Sequence, residues 1–443
     1  MLAFEDALER LLAKASPIRA TETLPLMQCD GRVLAGPVIS SLDVPAWDNA
    51  QMDGYAVRAA ELAQAPDAHF PVSQRIPAGH PGGLLQPGTV ARIFTGAAMP
   101  AGADAVVMQE EALVEGGRVR FAAQPQPGAW VRRRAEDIAR DSVVLDAGTR
   151  LTPAALGLAA SVGQAQLTLV RRPRVACFFT GDELVMPGEP LPPGGIYNSN
   201  RFVLKTLLQR LGCEVLDLGI VGDNLEATRA MLREAADQAD LVITAGGVSV
   251  GEEDHVRPAV EAEGEIDLWR IAIKPGKPLA YGRIHRRERA QQGGAAPSSG
   301  RVPPSAAAHA AGPAGAPDAS TAFRPEAGHA HFIGLPGNPV SSFVTFLMLV
   351  RPFVLGLQGA ASRLPRVLPM MAGFDWLRPD GRRREFLRAV QLPGQDRLGL
   401  FRSQGSAVLT SAAVGDGLID NPPGQVIREG DTVRFIPFST LLG

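Results

Sequence analysis

Apolar residues at Phe4, Ala7, Leu8, Leu11 and Leu12, with acidic residues between them, predict an amphipathic helix at the start of the chain. From about residue 41 to 137 the pattern changes to short alternating runs punctuated by Gly and Pro, "HFPVSQRI", "TVARIFTG" and "DAVVMQEEALVEGGRVRF", which predict a small β module. "LTPAALGLAASVG" follows as a helix with Pro153 near its start. This helix has no obvious partner beside it in sequence, so residues 1–40 and 138–170 are expected to pack together as one discontinuous helical and extended domain.

Beyond residue 171, buried runs alternate with amphipathic ones. "RVACFF", "CEVLDLGIV" and "DLVITAGG" read as strands; "NRFVLKTLLQRLG" and "LEATRAMLREAADQA" read as helices, the second behind Asp223 and Asn224 as capping candidates. Such alternation predicts parallel βαβ units, here a three-layer α/β domain over 171–361. Short strands with Gly/Pro turns return over 362–443 and predict a β-barrel-like C-terminal domain. The fold class is therefore α/β plus β, in several domains. Residues 286–330 interrupt the α/β domain with a segment rich in Ala, Gly, Pro and Ser. Loop closure costs only about 0.6 kcal/mol more per doubling of length, so the insertion is expected to be dispensable.

Composition narrows the field. A chain of 443 residues exceeds one typical core, and a net charge of −2 without a long basic run gives no reason to expect a nucleic-acid or membrane partner. Three widely spaced cysteines, Cys29, Cys177 and Cys213, suit neither a disulfide framework nor a zinc site. A cytoplasmic location is expected. The apolar stretch 341–356 contains Arg351 and Pro352 and is short for a bilayer span.

Chemistry is concentrated in loops after predicted strands, where α/β sheets collect ligands. In "TGDELVMPGEPLPPGGIYNSN", Asp182 and Glu183 precede a helix opened by Asn198, Ser199 and Asn200; free N–H groups there favour an oxyanion and carboxylates can hold a cation, although capping alone also explains the asparagines. "TAGGVSVGEEDH" supplies a glycine turn and Asp254, whose plain alternatives are a cap or a surface charge. "IKPGKP" places Lys274 and Lys277 on one rigid turn. Each ammonium gives about 4 kcal/mol of attraction to an anion ~4 Å away near a protein surface, so the pair suits a tetrahedral anion, with a solvated basic turn as the alternative. "LPGNPVSSF" offers another helix start. His329 and His331 lack a third ligand, His255 beside Asp254 is as easily structural, and no cysteine–histidine arrangement stands out.

Taken in order, "DNAQMDGYAV", "IFTGAAMP", "TGDEL", "IYNSNR", "TAGGVSVGEEDHV", "IKPGKPLAYG" and "LPGNPVSSF" resemble the molybdopterin molybdenumtransferase family, which includes the C-terminal domain of gephyrin. The resemblance implies insertion of molybdate into adenylylated molybdopterin with Mg²⁺, releasing AMP and forming the molybdenum cofactor. It implies catalytic roles for Asp53, Glu183, Asp223 and Asp254, with Glu183 and Asp254 as Mg²⁺ ligands. Substrate or anion contacts carry over to Thr95, Arg132, Asp137, Ser249, Lys274, Lys277, Pro336, Pro339 and Ser341. It further implies a homodimer whose site joins the α/β domain of one subunit to the β module of the other. A molybdopterin adenylyltransferase and molybdoenzyme acceptors are further expected partners. Ala135 departs from the family's usual glycine before Glu-Asp. Two competing readings are a non-catalytic scaffold of this fold and a molybdopterin adenylyltransferase; the retained acidic and lysine positions oppose the first, the flanking β modules the second.

Overall fold

The computed structural model describes residues 1–122, 124–247, 255–287 and 328–442. The chain divides into two compact units, residues 1–22 with 170–443, and residues 23–169.

The larger unit is built on a six-stranded sheet in the order Glu214–Val221, Arg174–Thr180, Leu241–Ala245, His329–Leu335, Pro278–His285, Gly264–Arg270. The first four strands are parallel, Pro278–His285 runs antiparallel to them, and Gly264–Arg270 pairs antiparallel with Pro278–His285. Parallel strands covered on both faces read as continuous apolar runs, and Val175 through Phe179 are all buried. Alternate residues serve opposite layers. Ala176, Phe178, Val242 and Phe332 pack against Leu232, Ala235 and Ala236 of helix Leu225–Gln238 and against Ala259 and Val260 of helix Val256–Glu263. On the other face lie helix Ser199–Arg210 and the helix running Pro339–Leu357.

That last helix is 19 residues long, apolar enough to span a bilayer by composition, and wholly buried within the unit. Arg351 and Pro352 do not interrupt it. Pro352 lacks an N–H, and the turn before it, Phe346–Val350, widens to π geometry. Buried Arg351 donates to the carbonyls of Leu441, Arg363 and Thr440, so its charge is met by main-chain dipoles.

Strands Leu368–Ala372, Arg384–Gln391, Arg397–Leu400, Gly417–Asn421 and Thr432–Pro437 close into a five-stranded barrel, because Arg384–Gln391 pairs with both Arg397–Leu400 and Gly417–Asn421. Closure removes free strand edges. One short strand from the α/β domain, Ile273–Lys274, adds in parallel to Arg384–Gln391. The expected α/β plus β class is thus observed.

The placement of the N-terminal helix needs correction. Helix Phe4–Lys14 groups with the larger unit: Phe4 meets the Phe386 ring edge-on at 5.3 Å, and the Ile18 N–H donates to Leu357 O. Gly356 permits this approach, since a Cβ there would lie 2.7 Å from that of Ala15. The apolar stripe is read correctly from its period, but its partner is more than 300 residues away and leaves no local trace.

In the smaller unit, helix Pro153–Ser161 is capped by the Thr152 hydroxyl and packs in a cluster containing Cys29, Leu34, Val38, Ile138 and Leu169. Its sheet runs Ala105–Met108, Gly54–Val57, Val90–Ile93, Phe70–Ile76, Arg118–Phe121, Ala112–Glu115.

Candidate active site

A cleft of about 1140 Å³ opens at the carboxyl ends of the parallel strands in the larger unit. Thr180, Ala245 and the loop after Leu335 form its base, and Glu183, Asp223, Lys274, Lys277, Pro336, Pro339 and Ser341 all line it. Seven of the residues named from sequence therefore meet in one place. Asp254 and Ser249 lie outside the described residues.

Two helix starts face the cleft. Asn198 caps helix Ser199–Arg210 by accepting from the Arg201 N–H, as the capping alternative requires. Its Nδ2 nevertheless has no partner among the described residues, nor does Oδ1 of Asn200, although both side chains are buried and line the cleft. A buried polar atom without a partner costs about 1–3 kcal/mol, so these two mark where a polar ligand or water is accommodated. At the second helix Asn338 makes no side-chain cap, and Pro339 occupies the first turn. Helix starts carry partial positive charge and favour anions.

The Lys274–Gly276 turn is packed against this second helix: Gly276 has φ +93°, and a Cβ there would lie 2.6 Å from Thr345 Oγ1. The Lys274 ammonium pairs at 3.0 Å with Glu385, while Lys277 is exposed and has no carboxylate partner among the described residues. Gly246 and Gly247, read from sequence as allowing close ligand approach, have a packing reason too. Both have positive φ, and a Cβ on Gly247 would lie 2.5 Å from Val256 Cγ2.

On the acidic side, Asp182 is structural, its Oδ1 accepting from the Asp223 N–H at 3.4 Å. The Glu183 and Asp223 carboxylates accept no side-chain or backbone hydrogen bond among the described residues. Two free oxygen donors in a cleft suit a hard divalent cation that takes its remaining ligands from water and phosphate. No cluster of three His, Cys, Asp or Glu that could hold a metal by itself occurs among the described residues.

Sequence reasoning missed the barrel's contribution. Arg383, Gln404, Gly405, Ser406 and Ala407 line the same cleft. Gln404 clamps its loop by accepting from the Arg388 N–H and donating to the Arg388 carbonyl; the fully buried Arg388 guanidinium donates to Gly405 O, Phe386 O and Ser411 Oγ. Burial lowers the Arg388 pKa to about 10. The overlooked signal is "REFLRAV", a strand whose charged residues fall at otherwise apolar positions. Arg383 also holds Asp380, whose carboxyl is lowered to about 2 chiefly by that side-chain hydrogen bond.

The smaller unit brings Asp53 and Thr95 together: Asp53 Oδ1 accepts from the Thr95 N–H at 2.8 Å and its hydroxyl at 2.7 Å. These bonds, the backbone N–H first, hold the carboxyl below its ordinary range. Gly54 is obligatory, because a Cβ would lie 2.0 Å from Val107 O. Asp48, the motif's other acid, is consumed by Arg133 Nη1 and the Arg134 N–H. Arg132 and Asp137 are exposed on the following segment, and Ala135 takes φ +61° where glycine would be unstrained. The His329–His331 pair is not ligand-like. His331 Nδ1 lies 2.9 Å from the Tyr281 hydroxyl, and burial lowers its pKa to about 3.

The molecule is thus an α/β protein with an oxyanion-type cleft completed by a β-barrel. Matches to known families agree along the chain: residues 2–163 match the MoeA N-terminal region (domain I and II), 176–356 a probable molybdopterin binding domain, and 375–438 the MoeA C-terminal region (domain IV). The chain is 37% identical to a molybdopterin molybdenumtransferase of Haemophilus influenzae, covering 100% of both chains. It is also 37% identical to that of a Nostoc species, over 85% of this chain and 78% of the relative. The crystal structure of the molybdopterin biosynthesis moea protein from Pyrococcus horikosii superposes with a TM-score of 0.70 at 28% identity, covering 99% of each chain. The chain belongs to the molybdopterin molybdenumtransferase family, and is a transferase of molybdenum cofactor biosynthesis.

Proposed function

We propose that this enzyme inserts molybdate into adenylylated molybdopterin with Mg²⁺, releasing AMP and forming the molybdenum cofactor. The observation that carries the reading is one cleft with cationic and acidic sides: Lys274, Lys277 and two helix starts, with Glu183 and Asp223. Lys274, Lys277 and the N–H groups near Ser341 hold the tetrahedral oxyanion. Pro336 and Pro339 keep that wall rigid. Glu183 and Asp223, with Asp254 from the family resemblance, are the carboxylates that would hold Mg²⁺. Held by these carboxylates, Mg²⁺ would supply neutralisation of charge on the nucleotide phosphate. No protein thiol takes part, and the three cysteines are buried and in no disulfide among the described residues.

The protein acts as a homodimer in the cytoplasm, with Asp53, Thr95, Arg132 and Asp137 completing the cleft of a second copy. Asp53 is suited to this: its carboxylate is ionised and aimed by Thr95 before any ligand arrives. Supplying adenylylated molybdopterin, molybdate and Mg²⁺ and following AMP tests the reading. Molybdate-dependent AMP release is expected; adenylylation of free molybdopterin from ATP would replace it with the adenylyltransferase reading. Asp53→Ala mixed with Glu183→Ala is expected to recover activity that neither has alone, and sedimentation checks the dimer.

A further inference from the structure

We propose that Glu385 is a positioning residue for Lys274, through which the C-terminal barrel sets the geometry of the oxyanion site. This rests on the reading of the cleft above.

The two lysines of the turn are held differently. Lys277 is free among the described residues, whereas Lys274 Nζ lies 3.0 Å from Glu385 Oε1. The Glu385 side chain is 1% exposed and that of Lys274 39%, so the ammonium spans from a buried carboxylate to the cleft it lines. The other carboxylate oxygen, Oε2, accepts from Trp376 Nε1 at 2.7 Å. Trp376 is in turn fixed by paired backbone hydrogen bonds with Ile427. Glu385 thus has both oxygens engaged and no freedom to follow a moving lysine.

The main chain enforces the same register. Lys274 pairs with Glu385 and Ile273 with Arg384 across the parallel strands, and the Arg384 N–H donates to Ala272 O at 2.8 Å. A buried carboxylate is costly unless paired and hydrogen-bonded, and a surface staple would not require one. An ammonium has three donors on a flexible stem. Committing one to a fixed acceptor leaves the others aimed, which removes the ordering cost when an anion binds.

The test compares wild type, Glu385→Gln, Trp376→Phe, Lys274→Ala and the Glu385→Gln/Lys274→Ala double variant. Molybdate binding is measured by calorimetry at constant ionic strength, beside thermal unfolding. Glu385→Gln is expected to weaken molybdate about tenfold or more, the scale of one charge-assisted hydrogen bond, and Trp376→Phe less. The double variant should bind no worse than Lys274→Ala, because Glu385 acts only through that lysine. Wild-type or tighter affinity in Glu385→Gln, with a lowered melting temperature, would reduce the pair to a structural staple and overturn the proposal. If Glu385→Gln does not fold, wild-type affinity in Trp376→Phe overturns it and weakened affinity supports it. Lys274→Ala binding molybdate like wild type would instead sink the reading of the cleft itself.

Discussion

In the β module, Asp43, Asp48 and Asp53 each accept two hydrogen bonds from arginine side chains, a threonine hydroxyl or backbone N–H groups. Glu183 and Asp223, in the cleft of the larger unit, accept none among the described residues. Asp43 and Asp48 have both oxygens engaged and shape their loops, whereas Asp53 is held through Oδ1 alone and keeps Oδ2 open among the described residues. Glu183 and Asp223 wait for something outside the chain. A carboxylate's spare hydrogen-bonding capacity, more than its presence in a motif, separates a structural acid from a ligand-holding one.

The contrast is broken most directly at Glu183. Glu183→Ala is expected to lower turnover by about 10²–10³-fold, as for loss of an electrostatic contact to the reacting group, with an unchanged melting temperature because no side-chain hydrogen bond among the described residues is lost. Steady-state AMP release and a thermal melt check both halves; a lowered melting temperature would place Glu183 with the structural acids.

Acid should separate the units next. His331 is kept neutral in the fold, with its pKa lowered from 6.5 to about 3 by burial. The unfolded chain therefore binds a proton below pH 6.5 that the folded one does not. The larger unit is fully stabilised above that pH and loses up to about 1.4 kcal/mol per pH unit as pH falls toward 3. The carboxyls of Asp43, Asp48 and Asp53 are also lowered in the fold, but from a much lower starting value, so their stabilisation is present above about pH 4 and is lost only as pH falls below it. Unfolding followed by hydrogen exchange should show the larger unit weakening first, and His331→Gln should flatten its slope.

Smaller effects sharpen the β module's side. Gly54→Ala forces a Cβ onto Val107 O and should cost about 2–3 kcal/mol in urea unfolding. Ala135→Gly relieves a positive φ and should add about 0.5–1 kcal/mol, since strain relief exceeds the added chain entropy only slightly.

Much of this was legible in the chain. Strand and helix periods gave the α/β layers, and the loops at strand ends contained seven residues that meet in the cleft. Local motifs carry such information because backbone geometry places consecutive loop residues together. What sequence hid was every pairing made at long range: Lys274 with Glu385, Asp53 with Thr95, the first helix with Phe386, and the barrel loop at Gln404–Ala407. Nor could it tell Asp48 from Asp53, two acids five residues apart, because their difference lies in which donors the fold brings to each.

The parallel pairing of Ile273–Lys274 with Arg384–Gln391 bears on modularity. An α/β fragment cut before the barrel would keep its whole central sheet yet leave this two-residue strand with nothing to lie against. The anion turn is therefore no self-contained cassette: transplanting it into another scaffold would require moving its docking strand as well.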